Sequence, residues 1–151
     1  MYRLDIPQKN EYETLINVWE SSVRATYHFL KNNDIEFFKR TIQEKDVLNH
    51  VSLICARDSN DRIQGFMGIA ENNLEMLFID SAFLGRGIGK LLLLHAIDNF
   101  NITKVDVNEQ NEKALKFYEH FGFKVISRSE FDGTGKPFPI LHMQLQLNFL
   151  Q

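Results

Sequence analysis

The residues best suited to chemistry stand in one short run, Gly85-Arg86-Gly87-Ile88-Gly89-Lys90. Three glycines alternate there, directly after a stretch that reads as a strand and directly before one that reads as a helix. A backbone without side chains lets a ligand approach closely. The first N–H groups of a helix have no partner inside it and lie at the positive end of its dipole, so such a turn suits a phosphate. Arg86 and Lys90 add formal positive charge. The same turn could serve packing alone, but three alternating glycines beside two bases favour an anion site. Two other phosphate loops are not matched. A P-loop requires Gly at 84 and Ser or Thr at 91, and this chain has Leu84 and Leu91. A dinucleotide fingerprint reads G-x-G-x-x-G, against G-x-G-x-G here. Asp106 does stand where that fold places its ribose-binding acid, but hairpins precede the turn, and that fold begins with its phosphate-binding βαβ unit.

The elements that must position this turn follow from hydrophobic periodicity. Tyr2 to Asp5 reads as a short strand ended by Pro7. Asn10 to Thr26 carries Leu15, Ile16, Trp19 and Val23 at helical spacing. A second helix is expected from about Asp34, as N-cap, to Leu48, with Ile35, Phe38, Ile42 and Val47 along its apolar stripe. Val51–Arg57, Ile63–Ala70 and Leu74–Asp80 read as a meander of strands separated by turn-rich residues. The glycine turn opens a helix to about Asn99. Strand Ile102–Val107, helix Asn111–Phe121 with Gly122 at its C′ position, and strands Phe123–Ser129 and Ile140–Leu147 complete the chain.

Composition bounds the function. The chain has 151 residues, 44% apolar and 25% charged, with a formal net charge of −3. This predicts one domain, without the basic excess of a nucleic-acid binder or the basic run of a membrane-surface protein. No apolar run is long enough for a membrane span or a signal peptide, which points to the cytoplasm. The single Cys55 excludes an internal disulfide and reads as a small buried hydrophobe. No pair among the five histidines has convincing metal-ligand spacing.

Leu77-Phe78-Ile79-Asp80 followed by Gly85–Lys90 closely resembles the acetyl-CoA motif of the GCN5-related N-acetyltransferases (GNAT). A second motif agrees: Asn111, Ala114, Phe117-Tyr118 and Phe121-Gly122-Phe123 are similar to that family's pattern on the following helix and strand. Ala25-Thr26, Phe29-Leu30, Asn108-Glu109-Gln110-Asn111-Glu112 and Gly135-Lys136-Pro137 resemble the small bacterial YjaB-like branch. One position departs: the family usually carries Gln or Arg where this chain has Leu84.

The resemblance implies an α/β fold with a mixed, mostly antiparallel central sheet flanked by helices, in the order β-α-α-β-β-β-α-β-α-β-β, with residues 1–151 as one N-acetyltransferase domain. It implies acetyl-CoA as cosubstrate and no metal. The cofactor's pantetheine arm would lie between two splayed strands and bond to the backbone at Leu77, Phe78 and Ile79. Its phosphates would sit on Gly85, Arg86, Gly87, Ile88, Gly89 and Lys90, and Asn111 and Tyr118 would also touch it. A lysine-type amine, with a pKa of about 10.4, must lose a proton before it attacks a thioester. Asp106 lines up with the family's carboxylate base, ahead of Glu109 and Glu75. Its place between Val105 and Val107 equally fits a solvated carboxylate on the outer face of the sheet. Tyr118 matches the tyrosine that meets the leaving thiolate. It could also be a core aromatic on the face of Ala114 and Phe121. Thr26, His28 and Asn108 are the acceptor-side candidates, with the loop before His142 as another wall. The expected acceptor is a small-molecule or peptide amine, and the chain is expected as a monomer or homodimer. A CoA-binding module without catalysis is the first alternative, and a dinucleotide-dependent oxidoreductase the second.

Overall fold

The computed structural model describes residues 1–146, so the end of the last predicted strand, at Leu147, lies outside the described residues. Strands β1 (Arg3–Asp5), β2 (Ser52–Arg57), β3 (Ile63–Ala70), β4 (Asn73–Ile79), β5 (Lys104–Asn108), β6 (Phe123–Ser129) and β7 (Ile140–Leu145) form one sheet in the order β1-β2-β3-β4-β5-β7-β6. Helices α1 (Tyr12–Thr26), α2 (Asn32–Glu44), α3 (Ile88–Phe100) and α4 (Glu112–His120) complete the expected order. Every strand pair is antiparallel except β4 with β5. This is not the parallel sheet of a dinucleotide fold.

Alternation along the strands divides the core in two. Met67, Ile69, Leu74, Val105, Val107 and Met143 face α3 and α4, meeting Ile88, Leu92, Leu93, Ala96 and Tyr118. Leu53, Cys55, Ile63 and Phe66 face the other way, onto Leu15, Val18, Trp19 and Val23 of α1 and Ile35 of α2. Cys55 is fully buried, and desolvation pushes its thiol up to about 12, so it is the inert hydrophobe expected.

One cap is displaced from its expected position. The N-cap of α2 is Lys31, three residues before the predicted one, and Asp34 stands at the third helical position. Its carboxylate accepts the Lys31 backbone N–H at 3.0 Å, so it caps the helix from inside. The helix also ends early, at Glu44. Asp46 takes a left-handed conformation (φ 54°) and a 3-10 turn over Val47–His50 carries the buried Leu48. At the far helix, Gly122 does take positive φ (96°) as the C′ residue of α4.

Candidate active site

The site begins where β4 and β5 separate. They pair only at Asn73↔Lys104 and Leu74↔Val105. On its other side β4 matches Ile69 to Leu74 and Gly68 to Met76, which leaves Glu75 as the extra residue of a β-bulge. A bulge bends its strand and steepens the twist, which carries the rest of β4 away from β5. Past the bulge, Leu77–Ile79 and Asp106–Asn108 border a cavity of about 390 Å³ instead of pairing with each other. A backbone edge left unpaired in this way can bond an extended, amide-bearing ligand as a strand would.

The glycine turn closes one end of this cavity, with Leu84, Gly85 and Gly89 in its lining. Gly85 (φ 77°) and Gly87 (φ 83°) are left-handed, and a Cβ at either would meet nothing within 4 Å, so conformation rather than space demands glycine there. The Leu91 N–H bonds to the Gly87 carbonyl at 3.0 Å, which leaves the N–H groups of Ile88, Gly89 and Lys90 ahead of the helical ladder. Ile88 anchors the turn with its side chain buried in the core. Arg86 lies over the Phe83 ring, 5.4 Å from its centroid, and Lys90 is exposed. Leu84, 45% exposed, presents an apolar side chain at the mouth.

Two phenols and an amide face the cavity. Tyr118 of α4 is 7% exposed, edge-on to Phe117 and Phe123. Burial first, then the neighbouring Tyr27, pushes its hydroxyl well above the ordinary phenol range, so it stays protonated and able to donate. Tyr27 caps the C-terminal end of α1, its N–H bonding to the Val23 carbonyl at 2.8 Å. Burial raises its hydroxyl too, and the Asn111 side chain opposes that shift. Asn111 is the N-cap of α4 as expected, its Oδ1 accepting the Ala114 N–H at 3.2 Å. Tyr27 is the residue that sequence reasoning passed over. Its proximity to Tyr118 is a contact between distant helices and leaves no mark in local spacing.

A second groove, about 590 Å³, opens on the α1–α2 side of the sheet and shares Tyr27, Glu75, Phe78, Asp106 and Asn108 with the first. Trp19, Phe38, Phe131, Asp132 and His142 also line it. Val105 and Val107 are buried on the opposite face, so Asp106 points into the groove with its side chain 40% exposed. Its Oδ1 lies 2.7 Å from Nδ1 of His142, whose Nε2 lies 2.7 Å from the Ser129 hydroxyl. Desolvation, then the Asp106 charge, raises the Glu75 carboxyl above its usual range. Glu109 is instead tied to Arg128 at 2.6 and 3.1 Å and held below the usual range by it.

The residues expected on the acceptor side are split. Thr26 lines the first cavity, its hydroxyl donating to the Ser22 carbonyl at 2.7 Å. Asn108 borders both cavities and accepts the Gln110 N–H at 3.2 Å. His28 is exposed and outside the lining of both. The loop before His142 does fold over this side: Phe138 packs on Phe29 and Phe38, and Lys136 sits 4.4 Å above the Phe37 ring. Among the described residues no group of three or more His, Cys, Asp or Glu is placed to hold a metal, and no helix is long and apolar enough to cross a membrane.

Comparison with known proteins agrees with this geometry. Residues 20–147 match the acetyltransferase (GNAT) domain family. The peptidyl-lysine N-acetyltransferase YjaB of Salmonella typhimurium is 40% identical over 135 residues, 88% of this chain and 90% of that protein. The solution structure of apo-form YjaB from Escherichia coli superposes with a TM-score of 0.86 at 34% identity, covering 95% of this chain and 97% of that one. The PaiA N-acetyltransferase of Thermoplasma acidophilum, solved in complex with coenzyme A, shares the fold with a TM-score of 0.77 at 23% identity, covering 97% and 99%. A splayed parallel strand pair, a glycine-built helix start and two linked motifs therefore meet in one chain, which belongs to the GCN5-related N-acetyltransferase family and is an acetyl-CoA-dependent N-acetyltransferase.

Proposed function

We propose that the acceptor is the side-chain amine of a peptidyl lysine, which attacks the acetyl-CoA thioester directly. The observation that carries this reading is the junction of two cavities at Asp106, one bordered by free strand edges and the other by carboxylates and aromatic rings. The Salmonella typhimurium relative, named as a peptidyl-lysine N-acetyltransferase, supports it. In this reading residues 1–151 act as one catalytic domain.

The chain's own groups then divide the work. The free N–H groups of 88–90, with Gly85 and Gly87 shaping the turn and Arg86 and Lys90 adding charge, hold the pyrophosphate. The backbone at Leu77, Phe78 and Ile79 pairs with the pantetheine arm, and Asn111 offers it a side-chain amide. Trp19, Phe38 and Phe78 flank an aliphatic lysine stem, and Asp106 and Glu75 attract its ammonium. Thr26 and Asn108 border the path. Asp106 takes one proton from the ammonium, which frees the nitrogen lone pair to form the N–C bond, and the second proton leaves nitrogen for the departing sulfur. The C–S bond then breaks, and Tyr118 donates a hydrogen bond to the departing thiolate, which ends as free thiol. The phenol is a weaker acid than in water, but the same dry surroundings also raise the thiol. A hydrogen bond, rather than a free phenolate, is therefore the form its help takes.

The test is a thiol-release assay with acetyl-CoA and a panel of amines: lysine-containing peptides, peptides whose only amine is the N-terminus, polyamines and amino sugars. The expected result is turnover with lysyl peptides and an acetyl group mapped to the side-chain nitrogen by mass spectrometry. Turnover confined to another amine class overturns the acceptor assignment.

A further inference from the structure

Asp106, His142 and Ser129 come from three neighbouring strands and form one hydrogen-bonded line on the groove face of the sheet. Asp106 and His142 are direct cross-strand partners on β5 and β7. β6 reaches the line only because of its own irregularity: Val125 pairs with Met143 and Ser127 with His142, so Ile126 is an extra residue. That bulge sets Ser129 diagonally across from His142, on the same face, where its hydroxyl reaches Nε2 at 2.7 Å. The two contacts are mutually consistent for a neutral imidazole. With the serine O–H as donor to Nε2, the ring's proton sits on Nδ1 and is donated to the aspartate oxygen.

We infer that His142 and Ser129 are positioning residues for the acetyl transfer: the serine sets the histidine tautomer, and the histidine holds one oxygen of Asp106 so that the other faces the amine. The inference rests on the proposed role of Asp106 as proton acceptor. A carboxylate on a short side chain at a splayed strand end has two soft torsions, and a base must be held close to its proton to act. Glu75 on β4, whose charge acts on the same site, has no cationic partner among the described residues to pull Asp106 aside. The strut from β7 therefore sets the direction of the carboxylate. Ser129 itself is two strands from the β4–β5 cleft, which gives it a role through His142 rather than on the acetyl group.

The experiment is a double-mutant cycle on kcat and on the KM for acetyl-CoA, with a lysyl peptide as acceptor. His142→Leu should lower kcat roughly 10–100-fold, the scale of a misplaced catalytic group, with the acetyl-CoA KM unchanged. His142→Asn carries an amide N–H close to the position of Nδ1 and should restore most of the loss. Ser129→Ala should give a smaller loss in the same direction. In an Asp106→Asn background, His142→Leu should cost nothing further, because the group it positions is gone. Wild-type kcat in His142→Leu, or an equal loss from His142→Leu with and without Asp106, overturns the strut. Wild-type kcat in Asp106→Asn alone overturns the base assignment, a separate failure. Failure of His142→Asn to rescue, with acetyl-CoA KM intact, also counts against the positioning role.

Discussion

Two groups of carboxylates border the same sheet and are treated in opposite ways. At one edge, Asp5 and Glu11 surround Arg57, whose side chain is 7% exposed. Its guanidinium donates to Asp5 at 2.9 Å and to both oxygens of Glu11 at 2.8 and 2.7 Å. Each partner tightens the other: Glu11 is drawn down to about 2 by Arg57, and Arg57 is raised further above its already high value by Glu11. At the β4–β5 splay, Glu75 and Asp106 share a groove with no Arg or Lys partner among the described residues, and Asp106 leans on an imidazole instead. Burial first, and then the Asp106 charge, pushes Glu75 up, not down. A carboxylate that holds the fold together is saturated with donors and stays ionised far into acid. The carboxylate proposed as base keeps an oxygen unspent and a neighbour of its own sign.

Substitutions at the two clusters should separate turnover from stability. The largest effect is expected for Asp106→Asn, which should lower kcat at least about a hundredfold, the lower range for a general base, while leaving Tm unchanged or slightly raised. Steady-state kinetics and a thermal melt on one preparation check both halves. Arg57→Met should do the reverse. Breaking a buried ion network costs about 3 kcal/mol, visible as a lower urea midpoint, with kcat at moderate temperature close to wild type. The acid side follows from the same pair. Glu11 has a folded pKa below its ordinary 4.5, so its contribution is complete above that pH and is lost as pH falls toward about 2. Glu11→Gln should therefore start less stable at neutral pH and decline less steeply over that window in a pH series of melts.

Tyr118→Phe comes next. Loss of one hydrogen bond to a charged leaving group, about 2 kcal/mol, corresponds to roughly 30-fold in kcat, with acetyl-CoA affinity by calorimetry little changed. An unchanged rate would leave Tyr118 as a core aromatic. The smallest effect is expected for Glu75→Gln. A carboxyl whose folded pKa is raised destabilises the fold above its ordinary pKa, so the variant should gain slightly in Tm at pH 7. The gain should vanish once pH falls below the ordinary carboxylate range.

The contrast also explains what could be read from the chain. The glycine turn, the N-cap at Asn111 and the C′ glycine at Gly122 were legible because local backbone chemistry dictates them. Asp34 misled because an acidic residue at the third helical position and one at the N-cap present nearly the same local signal. The bulges at Glu75 and Ile126 left no local mark, yet one of them parts the strands and the other delivers Ser129 to His142. Tyr27 belongs to the same class, since its neighbours Tyr118 and Asn111 lie far along the sequence. The part of the site made by turns was readable, and the part made by register was not.

In the proposed function the cofactor occupies the unpaired edges where β4 leaves β5. Amide hydrogen exchange with and without coenzyme A tests it most directly. Exchange should slow at Leu77–Ile79 and across 85–90, and stay unchanged at the closed edge formed by Arg3–Asp5 and Ser52–Arg57. Saturating coenzyme A that slows neither segment, or that protects the β1–β2 edge instead, would contradict it.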